Sequence, residues 1–590
     1  MSITPISFNN VRILSKFWSS VIDTVATTTV ALCLDKCEET GRLDNFRKAA
    51  GRKEGNFEGT FFNDSDVYKV LEGAAYCLMQ RTDPLLEKRV DEVIDDICAA
   101  QQADGYINTY YTLTDPDRRW TDMGMHEDYC IGHLIEAAVA YHQATGKGQL
   151  LTCAIRAAKH MMDVFGPDKR HWVVGHEEPE LALVRLWRHT SDQTYLDFAK
   201  WLLSERGKGY TVSAHHARYS FIGEYNQDDV PVEDARRVVG HAVRAMYLYT
   251  AMADIAGIDE ESPYKTALYA LWNNVVPANM YITGGIGQSS SNEGFTRDYH
   301  KPNLTAYCES CASIGMAFWN HRMSLLAGES CFADIVEKEI YNGILSGISL
   351  SGDRFFYENP LASLGKHHRS AWFGCSCCPT NLVRFLPSVG GYCYSTDEES
   401  IYINQYIESE IDSTDEIGTV SLNVTTEYPW NGKIQIMVKA LGNRSCLKLR
   451  IPAWCKGYHL EGAKDYHEEK GYLAVPVVSG DHLVLNLDMP AIRVYEDERV
   501  LEDRNRVCVM RGPVVYCAEE VDQPVIPTEY FPAEVALPVD SQLEIAEKDE
   551  NLRDAVVIRA GKLRLIPYFS WDNRSSGGMA VWLKEVSKKD

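Results

Sequence analysis

The sequence predicts a multidomain α plus β protein, an (α/α)6 barrel followed by antiparallel β-sandwich domains. Three observations carry this. From about residue 10 to 390, apolar residues recur at three- and four-residue intervals in paired segments, the signature of amphipathic helices joined as hairpins. The longest polar and glycine-rich inserts return before the first helix of a pair, which collects them at one end. After about residue 396 the period changes from helical to alternating.

Six hairpins are expected in order. The first is "FWSSVIDTVATTTVALCLDKCEETGRLDNFRKAA", and the second joins "SDVYKVLEGAAYCLMQ" to "PLLEKRVDEVIDDICAAQQ" across the turn "RTD". Four more lie within 133–166, 179–207, 240–276 and 310–347, each with a small-residue-rich first helix, a polar turn and a second apolar-striped helix. Ala, Gly and Ser in the first helices suit a tightly packed inner ring. Beyond them, "GTVSLNVTTEYPWNGKIQIMVKA", "CLKLRIPAW" and "RVCVMRGPVVYCAEE" alternate β-branched and polar residues around turns at "NG" and "SGD". The expected division is a barrel over 5–396, a β-sandwich over 397–497 and a second over 498–590; with 590 residues, two to four domains are expected.

Acidic residues outnumber basic ones by 83 to 59, a net charge of -24, which disfavours nucleic acid and anionic membrane as partners and suits a neutral ligand. The N-terminal "MSITPISFNNVRILSKFWSS" lacks a basic start, an apolar run and a cleavage site, and no later stretch is long and apolar enough to span a bilayer. The 17 cysteines are mostly scattered through helical patterns, as small buried hydrophobes in a reducing compartment would be. A cytoplasmic location is expected.

Two cysteine clusters stand out. "WFGCSCCPTN" holds Cys375, Cys377 and Cys378 within four positions, and "YCESCASIG" holds Cys308, Glu309 and Cys311. Together they can supply a tetrahedral zinc site. By spacing alone this is a structural metal held by Cys308, Cys311, Cys375 and Cys378, a catalytic metal or thiol, or a set of unliganded buried cysteines. Glu293 sits in the flexible "SSSNEGFT", either reaching into a pocket or solvated. His126, His176 and His241 each stand where a long connection enters a helix, as caps or core residues individually and as one cavity's lining if the barrel closes. Tyr357 in "RFFYENPL" and the aromatics of "DGYINTYYT" offer faces and hydroxyls for a sugar, or core packing.

These segments resemble one family over nearly the whole chain, from "FNDSDVYKVLEGAAYCL" through "HEDYCIGHLIEAAVAYHQATG", "GHEEPELAL", "MYITGGIGQ" and "ESCASIG" to "WFGCSCCPTN" and "VMRGPVVYCAE". The chain is identified as resembling the bacterial β-L-arabinofuranosidases of glycoside hydrolase family 127. The resemblance implies a retaining exo-glycosidase that releases terminal β-L-arabinofuranose from oligosaccharides. It implies that Glu309, Cys311, Cys377 and Cys378 hold Zn2+, that Cys377 is also the nucleophile, and that Glu293 is the acid/base. His126, His176, His241 and Tyr357 match positions lining the sugar subsite, and Cys375 matches a cysteine that is not a ligand. Cys308 is a departure, a thiol where the family has a small residue, and it offers the metal a competing ligand. The family also implies a homodimer paired through the β domains. Alternatives are a related branched or acidic sugar, Glu309 as nucleophile beside a structural metal, or a sugar-binding protein without catalysis.

Overall fold

The computed structural model describes residues 3–213, 222–523 and 530–587. Its core is a closed ring of six inner helices, Asp64–Gln80, Glu127–Thr145, Pro179–Thr190, Ala242–Ile258, Ser310–Ala327 and Cys377–Phe385, each touching the next and the last touching the first. The small residues of the inner helices permit this closure. At Gly73 a β-carbon would stand 2.6 Å from the Val383 carbonyl oxygen, so helix Asp64–Gln80 meets helix Cys377–Phe385 this closely only because nothing projects there.

The outer layer consists of Pro84–Ala100, Gln149–Val164, Gln193–Ser204, Tyr264–Asn274, Ser330–Lys338 and the long N-terminal helix Lys16–Glu39. Here the structure corrects the expected first hairpin. Lys16–Glu39 has no inner partner beside it in sequence; it lies against the inner helices Asp64–Gln80 and Cys377–Phe385, and the short helix Arg42–Ala49 packs instead on Pro84–Ala100. The sixth inner helix is therefore the one that begins at the cysteine cluster, nine residues long and too short to declare a period.

Lys16–Glu39 is long and apolar enough to cross a membrane by length and composition, with a mean hydropathy of 1.4. Its apolar window is 56% buried within the fold, and Phe17, Trp18, Val21 and Leu34 belong to the core.

Two six-stranded sheets come after the barrel. One runs Thr4–Pro5, Tyr394–Thr396, Ser400–Ile403, Cys446–Arg450, Tyr472–Pro476, His467–Glu469; the other runs Tyr458–Glu461, His482–Leu487, Lys433–Leu441, Gly418–Thr426, Ser409–Asp415, Val11–Ile13. Thr4–Pro5, at the start of the expected barrel, and Val11–Ile13, within it, thus each supply an edge strand to one sheet. The pairs are antiparallel except Ser400–Ile403 with Cys446–Arg450. A ten-stranded sheet forms the C-terminal part. It takes in Ala491–Val494, which lies before the expected division at 497, and reaches the barrel through Gly578–Ala580 paired to Ala362–Leu364.

The insert before helix Glu127–Thr145 is fastened by the first residue of that helix. Buried Glu127 accepts hydrogen bonds from the Tyr106 hydroxyl and from the Trp120 backbone N–H at 2.8 Å. Tyr106 and Tyr111 are buried, and Tyr110 packs on Phe57 and Phe61, so the aromatics of "DGYINTYYT" serve packing. Burial pushes the Glu127 carboxyl up to about 8 against these hydrogen bonds. A carboxyl raised on folding favours the native state below its unfolded pKa of about 4.5, and that contribution is lost as pH rises through about 8. Thermal unfolding from pH 5 to 9 should therefore show stability falling with pH by at most roughly 1.4 kcal/mol per unit from this group, and Glu127→Gln should flatten the slope. Parallel profiles for the two proteins would remove Glu127 as the cause.

Candidate active site

The N-termini of two adjacent inner helices bring the cysteine clusters together. Glu309 occupies the N-cap position of helix Ser310–Ala327 without a capping side-chain hydrogen bond, Cys311 lies in the first turn, and Cys377 and Cys378 open helix Cys377–Phe385. The helix dipoles present partial positive charge to these side chains, which favours thiolate and carboxylate. Cys311 Sγ is 3.4 Å from Cys378 Sγ, and Cys377 Sγ is 3.9 Å from Cys378 Sγ. Glu309 Oε1 lies 3.4 Å from Cys377 Sγ and 3.6 Å from Cys378 Sγ.

A tetrahedral zinc ion with bonds of about 2.3 Å to sulfur and about 2.0 Å to oxygen sets sulfurs about 3.8 Å apart and sulfur to oxygen about 3.5 Å apart. The four donor atoms lie within 4.8 Å of one another, and the four separations given above are close to those edges. The other carboxylate oxygen, Glu309 Oε2, is buried with no hydrogen-bond partner. The donor set fits a metal of borderline softness. Burial, and then the charge of Cys377, pushes Glu309 well above the carboxylate range, and burial likewise raises Cys378. At Cys311, hydrogen bonds from Cys377 and Cys378 overcome burial and bring the thiol down to about 7.

Cys308 is not part of the cluster. Its φ of 38° sits in the left-handed region, and its sulfur packs against Gly285 while its backbone N–H binds the Gly287 carbonyl. Cys375 lies by Tyr357, with Sγ 4.0 Å from the hydroxyl, and lines the pocket outside the donor set. The four-cysteine arrangement considered from spacing is therefore not the one formed.

Glu293 borders the same cavity, its carboxylate within 4.8 Å of Glu309. Its φ is 51°, and its loop is pinned to the start of helix Ala242–Ile258 by Ala242 N–H to Glu293 O (3.0 Å) and Phe295 N–H to Gly240 O (2.8 Å). Gly294 makes this possible, since a β-carbon there would fall 1.8 Å from the Gly240 carbonyl oxygen. Such off-region backbone persists where the surroundings over-determine it, often at functional sites. His241 caps the same helix: its Nδ1 accepts from Val243 N–H (3.2 Å), which leaves the proton on Nε2, and Nε2 meets Glu293 Oε2 at 3.4 Å. The Tyr307 hydroxyl donates to Glu293 Oε2 at 3.3 Å. Burial pushes Glu293 up, but the His241 hydrogen bond, then the Arg244 charge and the Tyr307 hydrogen bond, outweigh it and hold the carboxyl below its ordinary value. His241, Glu293 and Glu309 also lie within 4.8 Å of one another. The tautomer makes His241 a donor to Glu293 rather than a ligand.

The histidines form a row along the wall, His126 to His176 at 5.4 Å and His176 to His241 at 5.6 Å between ring centres. Phe62 stacks on His126 at 4.7 Å. Burial keeps His176 well below its ordinary value, hence neutral. Together with Tyr357, whose hydroxyl is 3.2 Å from Cys377 Sγ, they enclose a cavity of about 490 Å³. Eight of the nine sequence-derived residues line it; Cys378 is fully buried behind the wall.

The sequence reading missed Phe61, Phe62, Tyr129, Tyr225, Phe373, Asn381 and Arg244, which also line the cavity. Arg244, one turn into its helix, binds the Gly175 carbonyl beside His176 and lies 4.6 Å over the Tyr225 ring. The histidine at a cap followed three residues later by arginine was the available signal.

Comparison with known proteins decides the family. Residues 10–391 match the family model described as the β-L-arabinofuranosidase GH127 catalytic domain, 400–491 its middle domain and 492–584 the family's C-terminal domain. The chain belongs to glycoside hydrolase family 127. A non-reducing end β-L-arabinofuranosidase of Bifidobacterium longum subsp. longum is 35% identical over 603 residues, covering 91% of each chain. A family 127 β-L-arabinofuranosidase from Geobacillus stearothermophilus T6 superposes with a TM-score of 0.92 at 36% identity, covering 98% of this chain and 100% of that one. Another solved family 127 β-arabinofuranosidase gives 0.91 at 36% identity, covering 99% and 98%. This family 127 protein is a glycoside hydrolase, with an (α/α)6 barrel and β domains as its sequence predicts.

Proposed function

We propose that the protein is a retaining exo-glycosidase releasing terminal β-L-arabinofuranose, with Cys377 as nucleophile and Glu293 as acid/base. The observation that supports this best is the position of Cys377. Of the three donor sulfurs it alone is half-exposed: Cys311 also borders the cavity but is nearly fully buried, and Cys378 is fully buried behind the wall. The cavity of about 490 Å³, lined by the histidine row, Tyr357 and Phe373, suits a terminal sugar ring.

Glu309, Cys311, Cys377 and Cys378 would hold zinc, which when bound keeps the Cys377 thiol ionised near neutral pH. Cys377 Sγ attacks the anomeric carbon as Glu293 gives its proton to the departing oxygen. Glu293 then takes a proton from water, whose oxygen displaces the sulfur. Two displacements at one carbon retain configuration. Glu293 must carry a proton for the first step, so substrate has to loosen the His241 contact that keeps it ionised. A sugar hydroxyl accepting from His241 Nε2, with water excluded, does this. Glu309 is the poorer nucleophile because it is buried and turned into the donor set. Arg244 is engaged with Gly175 and Tyr225, which favours a neutral sugar over an acidic one. The enzyme is proposed to work in the cytoplasm, since all seventeen cysteines are free thiols and the chemistry needs Cys377 reduced.

Hydrolysis of p-nitrophenyl β-L-arabinofuranoside, by protein whose zinc has been counted, tests the assignment. One zinc per chain and turnover with retention are expected. Removing the metal with a strong chelator should abolish turnover and lower the melting temperature, with both restored by zinc, because binding to the native state stabilises it. A metal-free protein with full activity would sink the zinc reading, and inactivity of the zinc-loaded protein would sink the substrate.

A further inference from the structure

Cys98 and Cys153 lie on neighbouring outer helices, Pro84–Ala100 and Gln149–Val164, which pack directly on each other. Cys98 Sγ is 3.8 Å from the Gln149 carbonyl, one helical turn before Cys153. One turn further, Gln101 Nε2 donates to the Cys153 carbonyl at 2.8 Å. These contacts bracket Cys153 between neighbouring turns of the two helices and place it opposite Cys98. Cys98 is half-exposed and Cys153 is buried. Neither lines the catalytic cavity.

The other half-exposed cysteines away from the cavity lack such a partner among the described contacts. Cys331 faces Glu329, Cys446 the Leu447 carbonyl and Cys455 the Gly457 carbonyl. Cys33 and Cys37 share one helix, and Cys508 and Cys517 are fully buried.

We propose that Cys98 and Cys153 are a redox pair which closes to a disulfide on meeting a small disulfide such as oxidised glutathione, stapling two outer helices of the barrel. The Cys98 thiolate attacks one glutathione sulfur and expels the other half as thiolate. Cys153, giving up its proton, then attacks Cys98 of the mixed disulfide and releases the second glutathione. In sum two protein thiols are oxidised to one disulfide and one glutathione disulfide is reduced to two thiols. Cys98 is the half-exposed thiol and Cys153 the buried one, which makes Cys98 the attacking and Cys153 the resolving thiol.

The test is incubation of zinc-loaded protein with oxidised glutathione, then intact mass and a non-reducing peptide map. The expected outcome is loss of two hydrogens, a crosslinked peptide joining the segments of Cys98 and Cys153, a thermal midpoint raised by several degrees and reversed by dithiothreitol, and unchanged turnover. Cys153→Ser should stop at a glutathione adduct on Cys98. A lasting adduct on wild-type Cys98, no reaction at either cysteine, or a crosslinked protein no more stable than the reduced one would overturn the proposal.

Discussion

Replacing Cys377 by serine is expected to lower kcat for an aryl β-L-arabinofuranoside by on the order of 10⁴-fold or more, the scale seen when a covalent nucleophile is removed. A neutral serine hydroxyl at this position is poorly placed to be ionised: of its neighbours, Glu309 Oε1 and the Cys378 sulfur are proposed metal ligands and the Tyr357 hydroxyl is not a base. Because Cys377 is also a proposed ligand, the loss has to be separated from loss of metal. Cys378→Ser supplies the control. It removes an equally close donor but one buried behind the wall, so its activity should recover substantially when zinc is raised, whereas Cys377→Ser should stay inactive at any zinc occupancy. If Cys377→Ser retained appreciable turnover, Glu309 would become the nucleophile and the cysteine a ligand only.

That experiment rests on geometry that was partly legible in the sequence. The two cysteine clusters stand out in the sequence, but spacing alone leaves the ligands open and favours no one set; only the resemblance to family 127 names Glu309, Cys311, Cys377 and Cys378. The exclusion of Cys308 could not be inferred, since this depends on a left-handed backbone that turns one side chain away from its near neighbours in the chain. The helical period revealed the barrel's paired helices but not how the ring closes. Sequence adjacency suggested that Lys16–Glu39 would pair with the next helix in the chain, yet one of its partners, Cys377–Phe385, begins some 340 residues later and is too short to show a period. The edge strands Thr4–Pro5 and Val11–Ile13 were invisible for the same reason: two or three residues carry no alternation, and only pairing with Tyr394–Thr396 and Ser409–Asp415 defines them. Aromatic residues misled in one direction. Tyr106 is a sugar-facing candidate by sequence and Phe62 is not, yet the buried acceptor Glu127 draws Tyr106 inward while Phe62 stays at the cavity beside His126.

Replacing Glu293 by glutamine should separate the two halves of the reaction. The amide keeps the shape and can still accept from His241 and Tyr307, but it can neither donate an acid proton nor take one from water. With an alkyl arabinoside, whose leaving group needs protonation, kcat should fall by about 10²–10⁴-fold. With a nitrophenyl arabinoside, whose leaving group departs unaided, the first displacement should survive and the second should stall. Rapid mixing should then show a burst of nitrophenol before a slow steady state, and intact mass should show one pentosyl unit added at Cys377. Azide, an anionic nucleophile that needs no base, should restore turnover and yield the β-azide, since its attack on the enzyme-bound sugar is the second inversion at the anomeric carbon. The combination discriminates sharply. A burst with azide rescue requires a covalent intermediate and a base at Glu293 together, whereas uniform loss on both substrates without labelled enzyme would leave Glu293 as a sugar-binding carboxylate and return the acid/base role to another group of the cavity wall.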